Sequence, residues 1–66
     1  MKNSVKVLKN LEGSAMTLYD NIAYHGCSLK VEAIFIRGEA LFKYYEWFGH
    51  WIEVDKEQAL VILERY

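Results

Sequence analysis

The chain has 66 residues, 53% of them apolar and 15% aromatic, with no proline, one cysteine and a formal net charge of −1. That length leaves room for one domain, residues 1–66, and no second lobe. The near-zero charge argues against a chain whose main task is coating nucleic acid or an anionic membrane. A lone cysteine excludes an internal disulfide framework, and the apolar fraction excludes intrinsic disorder.

Taken in chain order, residues Ser4 to His25 read as an amphipathic helix. Val5, Leu8, Leu11, Ala15, Leu18, Ile22 and His25 recur at steps of three and four, and Gly26 follows as a left-handed stop. Gly13-Ser14 is the weak point of that helix. If the helix breaks there, Ser14 becomes the N-cap of a shorter one and Val5–Leu8 becomes a strand. Residues 28–36, with alternating and β-branched character, predict a strand.

For 39–48 two readings compete. A helix would place Glu39 and Lys43 at i and i+4. A strand paired through a two-residue Arg37-Gly38 turn sets Ile36 opposite Glu39, Phe35 opposite Ala40, Ala33 opposite Phe42 and Glu32 opposite Lys43. Those are the large–small and opposite-charge pairs that cross-strand neighbours prefer, so the strand is favoured.

A turn at Gly49-His50 leads into a short strand, Trp51–Val54. A two-residue turn there would oppose Glu46 and Glu53, so a bulge or longer turn is expected. Asp55 is placed as N-cap of a final helix, with Gln58 at the third position completing a capping box. Ala59, Leu60, Ile62, Leu63 and Tyr66 supply that helix's buried face. The expected class is α+β: an N-terminal helix, a three-stranded antiparallel meander and a C-terminal helix, with the helices packed on one face of the sheet.

Chemistry-bearing patterns are sparse. His25-Gly26-Cys27 is the one local His/Cys cluster, and a zinc site needs about four ligands at regular spacing. Cys27 with His25 or His50, oriented by Asp20, would be a nucleophile–base pair, but no signature surrounds the thiol. Glu46 and Glu53 would act as paired acids only if they converged with one of them buried. No glycine-rich phosphate loop is present. A chain this short struggles to enclose a cleft of ~300 Å³. The expectation is a protein that is not an enzyme, with no catalytic residue, cofactor or metal.

The aromatic run Tyr44-Tyr45-Glu46-Trp47-Phe48, followed by Trp51, is the feature that composition leaves to be explained. If the helices cover one sheet face, the other carries Ile34, Ile36, Leu41, Tyr45, Trp47, Ile52 and Val54. The expected interface is an aromatic–acidic face built from Tyr45, Trp47, Trp51, Ile52, Glu46 and Glu53, with Ile34 and Leu41 beside them. Tyrosine and tryptophan dominate protein interfaces, so a protein partner is expected, either a second copy in a homodimer or a larger protein.

Aromatic faces also stack single-stranded bases, but five acids against two lysines between Glu39 and Glu57 oppose phosphate there. The alternative is a nucleic-acid-binding regulator using Lys2, Lys6 and Lys9, with Lys30 and Arg37 in support. The longest apolar run, residues 59–63, falls far short of the ~20 residues that span a bilayer, and no signal-peptide pattern follows the first lysines. A cytoplasmic protein with no membrane segment is therefore expected, with a free thiol.

Overall fold

A computed structural model describes residues 2–65. The elements run α1 (Lys2–Thr17), β1 (Ile22–His25), β2 (Leu29–Ile36), β3 (Glu39–Trp47), β4 (Trp51–Val54) and α2 (Lys56–Glu64). The strands form one antiparallel meander in the order β1-β2-β3-β4. The class is α+β as expected from the sequence, with four strands rather than three. Tyr66, expected on the buried face of the last helix, lies outside the described residues.

The extra strand comes from the second half of the long helix expected over Ser4–His25. The helix stops at Thr17, and Leu18 and Tyr19 are solvent-exposed instead of continuing its apolar seam. Local side chains account for the stop. Asn21 takes a left-handed conformation (φ 59°), and its Nδ2 donates to the Ala15 carbonyl at 3.2 Å, capping the helix end. The Asp20 Oδ1 accepts from the Ile22 N–H at 3.2 Å, closing an Asx turn. Asp and Asn compete with helical hydrogen bonding in this way, and here the competition is won by the turn. Ile22–His25 then pairs with β2, Ala23 opposite Val31. Gly26 is left-handed (φ 60°), as the sequence suggests, but in the β1–β2 hairpin turn and not at a helix end.

Gly13 does not break α1. Its cost of about 1 kcal/mol against alanine is outweighed because Ser4, Leu8 and Ala15 are buried on either side of it. Val5, expected on the seam, is exposed.

The β2–β3 hairpin has the register read from the sequence: Ile36 opposite Glu39, Phe35 opposite Ala40, Ala33 opposite Phe42 and Glu32 opposite Lys43. Its two turn residues, Arg37 (φ 53°) and Gly38 (φ 82°), are both left-handed, the signature of a type I′ turn. Glycine is suited to that position and arginine is not. Arg37→Asn is expected to raise the unfolding free energy by about 0.5–1 kcal/mol. A thermal midpoint that stays put or falls would remove the turn argument.

The β3–β4 connection is three residues, Phe48-Gly49-His50, which sets Trp47 opposite Trp51, Glu46 opposite Ile52 and Tyr45 opposite Glu53. The like-charge pairing of Glu46 with Glu53 is thereby avoided. Asp55 caps α2 as expected, its Oδ1 accepting from the Gln58 N–H at 2.8 Å. The Gln58 side chain does not complete a capping box. Its Nε2 donates to Glu46 Oε1 at 3.4 Å instead.

Both helices pack on one side of the sheet. Ala23, Leu29, Val31, Ala33 and Tyr44 alternate onto that face and meet Leu8 and Ala15 of α1 and Ala59, Ile62 and Leu63 of α2. Two polar clusters are built into this layer. The Tyr44 hydroxyl donates to Glu12 Oε2 at 2.5 Å, and Lys56 Nζ lies 3.9 Å from the same oxygen. Glu46, only 8% exposed, is held by Gln58 and by Arg65 Nη1 at 3.7 Å.

Candidate interaction face of the sheet

The strand period of two sends Tyr24, Lys30, Glu32, Ile34, Ile36, Leu41, Lys43, Tyr45, Trp47, Trp51 and Glu53 to the face away from the helices. Tyr24, Ile36, Leu41 and Trp47 are 45–55% exposed there. Of the expected interface residues, the structure brings together Tyr45, Trp47, Trp51, Glu53, Ile34 and Leu41 on this outer face. Glu46 and Ile52 are corrected. Both lie on the helix-packed face, paired with each other across β3 and β4. Val54 is on that side too, packed against the core. Glu46 stands between Tyr45 and Trp47 on β3, so the strand period of two alone sends it to the other face. For Ile52 the reason is the third residue of the β3–β4 turn, which shifts β4 by one position relative to a two-residue turn and so moves every β4 side chain to the other face.

With Glu46 buried on the far side, the outer face is mixed in sign, Lys30 and Lys43 standing against Glu32, Glu39 and Glu53. It is aromatic and mixed in charge, with two lysines against three glutamates. Glu46 and Glu53 lie on opposite faces and form no carboxylate pair.

One end of the face is an aromatic cluster. Trp47 and Trp51 pack edge-to-face with ring centroids 5.1 Å apart, and Tyr24 meets Trp51 at 5.9 Å. The Lys30 ammonium sits 4.7 Å from the Tyr45 ring centre and 5.0 Å from that of Trp51, a double cation–π contact. The Tyr45 hydroxyl donates to Glu32 Oε1 at 3.1 Å. Partial burial, the bond to Glu32 and the charges of Glu32 and Glu53 all push the Tyr45 hydroxyl above its ordinary pKa, so it stays a donor. Lys43 Nζ lies 3.9 Å from Glu53 Oε2 with both side chains about half exposed, a weak bridge. A hollow of ≈ 440 Å³ opens between the β1–β2 turn, at Gly26 and Cys27, and the Trp47–Trp51 pair.

Tyr24 and the caged position of Lys30 are the parts of this face that sequence reasoning missed. Tyr24 fell inside the expected helix. The signal that places it was present: an Asp-Asn turn before Ile22 and a glycine after His25 bracket a four-residue strand.

The groups weighed for chemistry are dispersed. Asp20 is engaged in its turn, Cys27 is a free exposed thiol, and His50 lies in the β3–β4 turn. Among the described residues no three of His, Cys, Asp and Glu gather as a metal site, and no helix is long and apolar enough to cross a membrane. Lys6 and Lys9 are exposed on α1, in the layer opposite the aromatic face, and the side chain of Lys2 lies outside the described residues. No family model, curated protein or solved structure matches the chain.

Proposed function

We propose that this chain is a small, non-enzymatic protein–protein interaction module, of the inhibitor, adaptor or regulatory-subunit type, that docks through its outer sheet face. One observation carries the reading: the helices pack on a single face of the sheet, while the other holds Tyr24, Ile34, Ile36, Leu41 and Trp47 with no helix or strand of the described residues laid over them. Contiguous exposed apolar surface of this kind marks partner sites. Tyrosine and tryptophan clustered at one end of it, with lysines and glutamates interspersed, match the residue types enriched in interfaces. The reading calls for no cofactor, and a reducing compartment such as the cytoplasm suits the free Cys27 thiol. The basic residues of α1 lie away from the aromatics, so they do not build a stacking groove with them.

Site-specific photo-cross-linking tests this. A photoreactive side chain at position 41, on the outer face, is expected to give protein adducts in cells. The same group at position 61, exposed on α2, is expected to give few. Equal yields from the two positions would withdraw the outer face as the docking surface.

A further inference from the structure

The geometry points to a second copy of this chain as the occupant of the outer face, docked face to face about a two-fold axis parallel to the strands and midway between β2 and β3. This rests on the interaction-face reading and names its partner.

On the outer face Lys30 stands opposite Tyr45, Glu32 opposite Lys43 and Ile34 opposite Leu41. Each is a complementary pair: cation with ring, anion with cation, aliphatic with aliphatic. A two-fold axis along the strands turns the second copy over so that its β3 lies above β2 and its β2 above β3. Every outer residue of the hairpin then faces a copy of its own cross-strand partner. Complementarity selected within the hairpin is thus repeated across the interface, which is what an isologous contact requires. The Glu32–Lys43 and Ile34–Leu41 rows lie near the middle of the hairpin. They stay in register even when the twist of two packed sheets rotates them by about 30°.

Charge and size point the same way. The face mixes Lys30 and Lys43 with Glu32, Glu39 and Glu53, so a strongly one-signed partner is a poor match and an equally mixed surface is a good one. The Cα envelope measures 33 × 28 × 18 Å, and the short dimension is that of one sheet under one layer of helices. Its broad face, roughly 700 Å² in outline, approaches the ~800 Å² per partner of a standard stable interface. A second copy presents the same outline and covers it without overhang. The exchange also sets Trp47, whose N–H bonds the Ser28 carbonyl in its own chain, against the β1–β2 turn of the second copy, beside the hollow at Gly26 and Cys27.

The test uses the purified full chain and charge reversal at the central row, read by sedimentation velocity and native mass spectrometry. The wild-type chain, 7.8 kDa as a monomer, is expected to sediment at twice that mass. E32K alone and K43E alone each place like charges across the axis twice, and each is expected to dimerise about tenfold or more weakly. An equimolar mixture of the two is expected to recover a heterodimer, because each chain then supplies what the other lacks. The double variant E32K/K43E keeps opposite charges at the paired positions 32 and 43, at the loss of the weak Lys43–Glu53 bridge and the Tyr45–Glu32 hydrogen bond. It is expected to dimerise like the wild type and guards against a folding defect in the single variants.

A wild-type chain that stays monomeric, a mixture no tighter than the single variants, or a double variant that stays monomeric overturns the proposal. If the wild type is monomeric while position 41 cross-links to a different protein, this inference fails and the interaction-face reading stands. If position 41 cross-links to nothing, both fail.

Discussion

Ile62→Ala is expected to lower the unfolding free energy by about 3 kcal/mol, while Val61→Ala, one residue earlier, changes it by less than about 0.5 kcal/mol. Ile62 is 2% exposed in the core with Leu8, Leu29 and Leu63, so truncation leaves a cavity that packed neighbours fill only in part. Val61 is 42% exposed on the opposite side of α2, and replacing a β-branched residue by alanine suits the helix. A domain of this size hides only about 60% of its unfolded surface and has little stability to lose. The Ile62→Ala midpoint is expected to fall by roughly 12–24 °C. Thermal unfolding at one fixed protein concentration measures both, since the midpoint of any self-associating chain depends on concentration. Equal losses at 61 and 62 would mean that α2 does not present the face described here.

Alkaline pH is expected to destabilise the fold through Tyr44. Burial is the main cause that raises its pKa well above the ordinary 10.0, followed by its hydrogen bond to Glu12 and the repulsion a phenolate would meet there. The folded state therefore holds this proton more tightly than the unfolded state does. Tyr44 contributes its full stability below pH 10, and that stability declines as pH rises from 10 towards the folded value. The loss is at most about 1.4 kcal/mol per pH unit from this one group. Tyr45, shifted in the same direction, adds to it.

Tyr44→Phe removes the titrating hydroxyl and leaves the part-buried Glu12 carboxylate with Lys56 alone at 3.9 Å. It is expected to cost about 1–3 kcal/mol at neutral pH and to flatten the alkaline decline. Urea midpoints of both proteins between pH 7 and 11.5 read out the difference. An unchanged alkaline slope in the Tyr44→Phe protein would show that the decline comes from other groups.

How far the sequence carries differs from segment to segment. The β2–β3 hairpin is legible to the residue, because a two-residue Arg-Gly turn leaves one register and the pairs it creates agree in size and charge. The cap at Asp55 and the buried positions of α2 are legible for the same local reason. The stretch 18–25 is misleading because Leu18, Ile22 and His25 continue a helical spacing by coincidence. The Asp20-Asn21 turn overrides it with two side-chain hydrogen bonds that a count of apolar spacings does not weigh. The placement of Ile52 hinges on one turn residue, whereas that of Glu46 follows from its alternation with Tyr45 and Trp47 along β3. The like-charge argument anticipates a longer connection after Trp47 but does not carry the shift through to the faces of β4.

The sequence by itself determined that this is a small α+β domain with more large apolar residues than its own core can bury, and that part of the excess falls within residues 34–54. Both follow from chain length, composition and the strand period of two, which act locally. Only the tertiary structure decided which residues the excess consists of. Packing both helices on one face turned Glu46 inward to Gln58 and Arg65 and brought Tyr24 from β1 beside Trp51 on β4. It also left the outer face mixed in charge, with Lys30 and Lys43 among its glutamates. Those outcomes depend on pairings between residues far apart in the chain, where a single extra turn residue reverses the face and no local pattern records it.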